Sequence, residues 1–221
     1  MKSFAEIRRI AIARKGEHEL AARMPGPPER PLRDLSDDRV LAEFSRRIFQ
    51  TGLSWKVVDG KWPGFEAAFH RFDIARNAMM SDDDLDAHLR DTGIVRHGAK
   101  ILSVRDNAIF LGDLARAHGS AARFLADWPA TDAMGLYDLL GRCGARLGGM
   151  TGPYALRVLG YDGPLLSKSV VAALNMAGAL DGAATSKAAR VRAQEAFNTW
   201  HEESGVPYAV ISRTLALAVP D

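Results

Sequence analysis

With 221 residues, 47% of them hydrophobic and 25% charged, the chain is long enough for one large domain or two small lobes sharing a core, and too apolar for disorder. No apolar run approaches the roughly 20 residues that cross a bilayer. The opening Met-Lys-Ser-Phe-Ala-Glu-Ile-Arg-Arg carries an acid and no signal-type apolar core, so a cytoplasmic monomer without a membrane partner is expected. Cys143 is the only cysteine, and the six histidines lack the spacing of a helical metal site. A disulfide and a cysteine-rich zinc site are therefore excluded, and neither metal nor cofactor is expected. The net charge of +2 neither demands nor opposes an acidic partner.

Ser3-x-x-Glu6 ahead of Ile7, Ile10 and Ala11 is a capping box that opens a first helix. Gly16 stops it, and a short second helix is predicted over Glu17 to Arg23. Four prolines between Pro25 and Pro31 cannot continue a helix. Residues 1–31 thus read as an N-terminal helical arm with a Pro-rich connector, and residues 32–221 as the main helical domain. Glu17, His18 and Glu19 form a charge run that either reaches a site or faces solvent.

Val40, Leu41, Phe44 and Ile48 recur at helical spacing and predict a helix over Asp37 to Thr51. Gly52 suits its C-terminus, and Ser54 is placed to cap a helix starting at Trp55. Leu53 lies on the turn between them, where a leucine is ordinarily core. Phe65, Phe69 and Phe72 share one helical face. Ser81-Asp-Asp-Asp caps a helix buried through Leu85 and Leu89, which ends at Asp91-Thr92-Gly93. A long helix follows from His97 to His118. Ser120 and Asp132 cap two more, and further helices are predicted over Tyr154 to Leu159, Ser167 to Ala177, Ser186 to Glu203 and Pro207 to Ala218. No window alternates at period two, so the fold class is all-α.

Two segments, Leu89 to Ile101 and Leu139 to Ala155, share one design: a helix, a glycine-rich hairpin, and a second helix whose first amides are free. Such amides, approached closely past glycines, form an anion site without many lysines. The same glycines also permit close helix crossing, and the residues alone leave both readings open.

In order and with similar spacing, Gln50-Thr-Gly-Leu-Ser-Trp55, Phe69-His-Arg-Phe-Asp73, Asp91-Thr-Gly-Ile-Val-Arg-His-Gly-Ala-Lys-Ile101 and Asp106-Asn-Ala108 resemble the DNA-3-methyladenine glycosylase I family. The resemblance is continuous over roughly Leu41 to Ala108 and weaker from Leu139 to Leu174. It implies a two-lobed, all-α helix-hairpin-helix DNA glycosylase fold with a base pocket between lobes. The implied partner is double-stranded DNA carrying a damaged base, probed by extruding that base from the stack. By position, Trp55 matches the tryptophan that stacks on the extruded base, and Gly52 with Leu53 the turn that fills the gap in the duplex. Arg146, Gly149, Thr151 and Gly152 fall on the hairpin that grips phosphates. Arg96 and Lys100 match a segment that supports the pocket or contacts DNA. Trp55 as a plain core residue is the competing reading.

Three departures limit the likeness. The family's Cys-Gly-Trp opening and Tyr-His-Asp-x-Glu-Trp-Gly stretch have no counterpart before Pro31, and the closing His and Cys ligands are also missing, so no zinc clasp is expected. The slot of the family's base-recognising glutamate, counted back from Trp55, holds Arg47. That arginine either donates to acceptors on a different base, is paired internally with Glu43 or another acid, or snorkels to the surface. Where many relatives place a catalytic aspartate this chain has Leu166-Ser167-Lys168-Ser169, with Asp162 the nearest acid, so the catalytic residue is left unassigned. The expected function is hydrolytic release of a modified, alkylated base, the alternative being a catalytically weak DNA-binding protein of the same fold.

Overall fold

The computed structural model describes residues 1–220, and among them every regular element is helical. In chain order the α-helices are α1 (Phe4–Lys15), α2 (Glu17–Ala22), α3 (Asp37–Gln50), α4 (Trp55–Gly60), α5 (Trp62–Ala68), α6 (Ile74–Ala78) and α7 (Asp82–Arg90). They continue as α8 (Gly98–His118), α9 (Ala121–Asp127), α10 (Ala133–Cys143), α11 (Thr151–Val158), α12 (Lys168–Met176), α13 (Lys187–Ser204) and α14 (Tyr208–Ala218). The Ser3 capping box forms as the spacing predicts, Ser3 Oγ accepting from Glu6 N, and the predicted cap at Ser81 is also a capping box, Ser81 Oγ accepting from Asp84 N, with the acid returning to the cap amide in each.

The chain separates into two compact units. The first comprises Met1–Pro27, Pro129–Gly135 and Asp162–Asp221. Its core joins Phe4, Ile7 and Leu20 to Val170, Leu174, Phe197, Trp200, Ile211 and Leu215. The helices before the Pro-rich connector are therefore built into a core: α1 packs along α14, and Trp200 Nε1 donates to Lys2 O at 2.9 Å. Glu17, His18 and Glu19 face solvent, Glu17 pairing with Arg8 and Glu19 with Arg23.

The second unit, Pro28–Trp128 with Leu136–Tyr161, is organised on α3, which packs against α8 and α11. Val40, Leu41, Phe44, Ile48 and Phe49 of α3 are fully buried with Ile101, Val104 and Leu111 of α8. Each such side chain contributes roughly 1.5 to 3 kcal/mol on leaving water. Beside them Phe49, Phe65, Phe69, Phe72 and Trp62 form a continuous ring cluster. These phenylalanines do not lie on one continuous helix. The α5 helix stops at Ala68, and His70, Arg71 and Phe72 take left-handed φ values of 52°, 55° and 62°. The turn lets Phe72 fold back onto Phe69 and Trp62, and Arg39 holds it by donating to Arg71 O. The α7 helix is also shallower than its leucines predict: it has no fully buried residue, and Leu89 is exposed.

Candidate base-binding site

The apolar stripe of α3 decides where its polar residues go. Glu43 and Arg47 are one turn apart, flanking buried Phe44 and Ile48, so both start from the protein side of the helix. Arg47 Nε donates to Glu43 Oε1 at 2.6 Å, with the side chains only 14% and 11% exposed. Burial raises the Glu43 carboxyl pKa above its usual value, against the hydrogen bond and charge of Arg47, which lower it. Of the alternatives for Arg47, internal pairing with Glu43 is the one observed. Snorkelling is not, because the guanidinium turns inward along the helix. Its carbon sits 4.9 Å from the ring centre of Trp55, within cation–π range.

Trp55 opens α4 and is 56% exposed, so it is not a core residue. Among the described residues no aromatic ring packs on it and its indole N–H has no acceptor. The indole therefore carries an arginine over its ring and is otherwise open. Sequence reasoning brought Arg47 and Trp55 to one place, and the structure puts them in contact.

The turn between α3 and α4 carries Gly52 and Leu53. Gly52 has φ 73°, which a glycine adopts without strain. Leu53 is 40% exposed, against the expectation that a leucine there is core: the turn ties its amide to Gln50 O at 3.2 Å and aims the side chain outward. Ser54 also departs from its expected role, since its hydroxyl makes no capping bond. The turn is held instead by Lys100 from α8. This side chain is 5% exposed, and its Nζ donates to Phe49 O at 3.1 Å and Thr51 O at 2.6 Å. A cation on the last carbonyls of α3 also opposes the negative end of its dipole. Burial lowers the Lys100 pKa, with Arg146 as a second cause. Arg96, from the same hairpin, is exposed and without a partner among the described residues.

The second hairpin joins α10 to α11. Arg146 is exposed at φ 60°, and Gly149 is exposed at φ 62°. Ile48 and Thr51 of α3 line a cleft of about 340 Å³ together with Arg146, Gly148 and Thr151, so the base of the turn and the hairpin share one surface. Not every hairpin amide is available there. Gly152 is buried and donates to Leu147 O at 3.0 Å; a Cβ at this position would stand 2.6 Å from that oxygen. Gly152 is thus needed for close packing rather than as a phosphate donor. The Thr151 amide makes a long 3.4 Å bond to Gly148 O, and the Gly149 amide has no acceptor among the described residues. Neither reading of the glycines prevails throughout: Gly152 packs, while Gly149 lies open.

Asn107, whose role the sequence did not suggest, clamps this hairpin. Its side chain is fully buried, accepts from Ala145 N at 2.9 Å and donates to Ala145 O at 3.0 Å. Asp162 serves a different purpose. Its two oxygens accept from Tyr208 N and Ala209 N, so it caps α14.

Residues 33–134 match the methyladenine glycosylase family. The DNA-3-methyladenine glycosylase 1 of Escherichia coli is 41% identical over 59 residues, 27% of this chain and 32% of the relative. The DNA-3-methyladenine glycosylase of Haemophilus influenzae gives the same identity and coverage. The chain thus spans about a third of the curated relatives it matches. Among solved structures, one 3-methyladenine DNA glycosylase I is 26% identical, with a TM-score of 0.50 over 64% of this chain and 86% of that one. The Staphylococcus aureus enzyme, 22% identical over 61% of this chain and 81% of that one, has a TM-score of 0.53 and supports the fold alone. Over residues 33–134 the chain is similar to the methyladenine glycosylase family.

Proposed function

We propose that the protein is a DNA base-excision glycosylase that draws a modified base out of duplex DNA, stacks it on Trp55 and releases it by hydrolysis. The observation that carries this reading is the open indole at a helical bend, with Leu53 projecting beside it. A duplex base can be reached only by extrusion, and an aromatic face offsets part of the lost stacking. Leu53 fills the vacated space, while Arg146, Arg96 and the amides of Gly149 and Thr151 hold phosphates.

An alkylated purine suits the chemistry of this site. Its ring is already cationic, so the C1′–N bond breaks with the electron pair neutralising the base, and water oxygen then bonds to C1′ and loses a proton. No acid is needed at the leaving group. Glu43 is tied to Arg47 and Asp162 caps a helix, which disfavours a base that must be protonated to leave. The Glu43–Arg47 pair is neutral as a unit, so Arg47 does not turn a cationic base away. The relatives named for 3-methyladenine make that lesion the first to try, with the cytoplasm as the expected site of action.

The test is to incubate the protein with duplexes carrying 3-methyladenine, other alkylated purines and deaminated bases, and to measure free base. Release from the alkylated duplexes, lost in Trp55→Ala, supports the proposal. Salt-sensitive duplex binding with no base released from any of them would replace it with a DNA-binding role.

A further inference from the structure

Two buried polar side chains of α8, outside the base site itself, make long-range contacts that local packing does not require. Lys100 reaches 49 and 51 residues back along the chain to Thr51 and Phe49, the residues that lead into the Gly52–Leu53 turn. Asn107 reaches 38 residues forward to Ala145, the residue before Arg146. They are seven residues apart, two helical turns and about 10 Å along one face of a single straight element. Lys100 is a cation whose only partners among the described residues are carbonyls, and Asn107 satisfies both backbone polar groups of one residue, Ala145. Each is directed at the backbone of a segment that would meet DNA, and neither reaches the base pocket.

We infer that Lys100 and Asn107 are positioning residues. On this reading α8 acts as a ruler that fixes the spacing between the turn pushing into the duplex and the hairpin gripping its phosphates. This rests on the glycosylase reading above for what the two segments do. The physical reason is that pushing out a base requires a fixed counter-hold on the same strand. If either segment shifted by about 1 Å, the thrust of Leu53 would be lost against a yielding backbone. Lys100 fixes the turn from within by closing the end of α3. Asn107 fixes the hairpin at the peptide that sets Arg146 in its left-handed conformation.

The two residues should then fail in different ways, which a merely structural role would not produce. The measurement compares a lesion opposite its paired base with the same lesion opposite an abasic gap, where less has to be pushed aside. Extrusion is followed by fluorescence of 2-aminopurine at the target, independently of bond cleavage, and release by free base. Lys100→Met should lower extrusion and release on the paired duplex by about tenfold while changing the gapped duplex by less than about twofold. Lys100→Arg, which keeps the charge and donors, should recover part of the difference and serves if the Met variant does not fold. Asn107→Leu should weaken binding to undamaged duplex and reduce its salt dependence by about one phosphate contact, leaving the paired-to-gapped ratio unchanged. If Lys100→Met and Lys100→Arg, per folded molecule, leave that ratio at the wild-type value, the ruler is wrong although the glycosylase stands. Wild-type protein that extrudes but never cleaves leaves the ruler standing and removes the excision. Neither extrusion nor release on any duplex overturns both.

Discussion

Adjacent arginines on α3 each lie over a tryptophan, and the two pairs do opposite work. The Arg46 guanidinium is 4.7 Å from the Trp62 ring centre and is held by Asp59 at 2.9 Å. Trp62 stacks on Phe65 and Phe72, and its indole N–H donates to Glu66 at 3.0 Å. Both faces and the polar edge of that tryptophan are committed to the fold. The Arg47 guanidinium is 4.9 Å from the Trp55 ring centre and is held by Glu43, but Trp55 has no further partner among the described residues and is more than half exposed. A cation–π contact therefore does not distinguish structure from site. The partners that remain unfilled do.

That contrast orders the predictions. Trp62→Ala should cost about 3 kcal/mol of stability, because it removes a ring stacked within the aromatic cluster. Trp55→Ala should change stability by less than about 0.5 kcal/mol while lowering base release on the order of tenfold to a hundredfold, the range expected for one lost base stack. Chemical unfolding read beside release separates the two. Equal stability losses in both variants would erase the distinction between the tryptophans.

Next in size is the pair beside Trp55. Glu43→Gln replaces a carboxylate whose burial outweighs its pairing with Arg47 by a neutral side chain of the same shape, and should change stability by less than about 1 kcal/mol. The same pair fixes a pH dependence. Burial raises the Glu43 pKa above the unfolded value near 4.5, so the folded state holds this proton more tightly than the unfolded chain. Its contribution to stability is complete below about pH 4.5 and is lost as pH rises through the folded-state pKa. Activity runs the other way. Acidification protonates Glu43, leaves Arg47 as an uncompensated cation and disfavours a cationic base. The kcat/KM for an alkylated purine should therefore fall on acidification with a midpoint above 4.5, and Glu43→Gln should flatten that limb. An acid limb that persists unchanged in Glu43→Gln assigns it to another group.

Leu53→Gly should leave the fold intact, since the side chain projects outward from the turn, and should lower release from paired duplex by several-fold. Arg96→Ala should have the smallest effect: binding weakened alike for damaged and undamaged duplex, with the salt dependence reduced by about one contact.

The sequence carried whatever depends on near neighbours. The α3 stripe, the Ser3 capping box, the Ser81 cap and the Gly52 bend rest on spacings of two to four residues, and all are present. Arg47 with Glu43 was legible as one of several options for the same reason. Leu53 misled because burial is a tertiary property: a turn residue points inward or outward according to what the turn packs on. Ser54 carries the right side chain for a cap but was not needed, since Lys100 holds the turn from α8. The left-handed turn at His70 to Phe72 was hidden because three aromatics at helical spacing look alike whether the backbone is continuous or folded back. Asn107 was unreadable, as its partner is 38 residues away and a lone asparagine in a helix has no periodic signal.

The most direct test of the account is single-turnover release of 3-methyladenine from duplex DNA by the wild-type protein and by Trp55→Ala, with thermal melts of both. The account predicts release by the wild type, a loss of at least about tenfold in the variant and superimposable melts. Release that proceeds equally without the indole would contradict it.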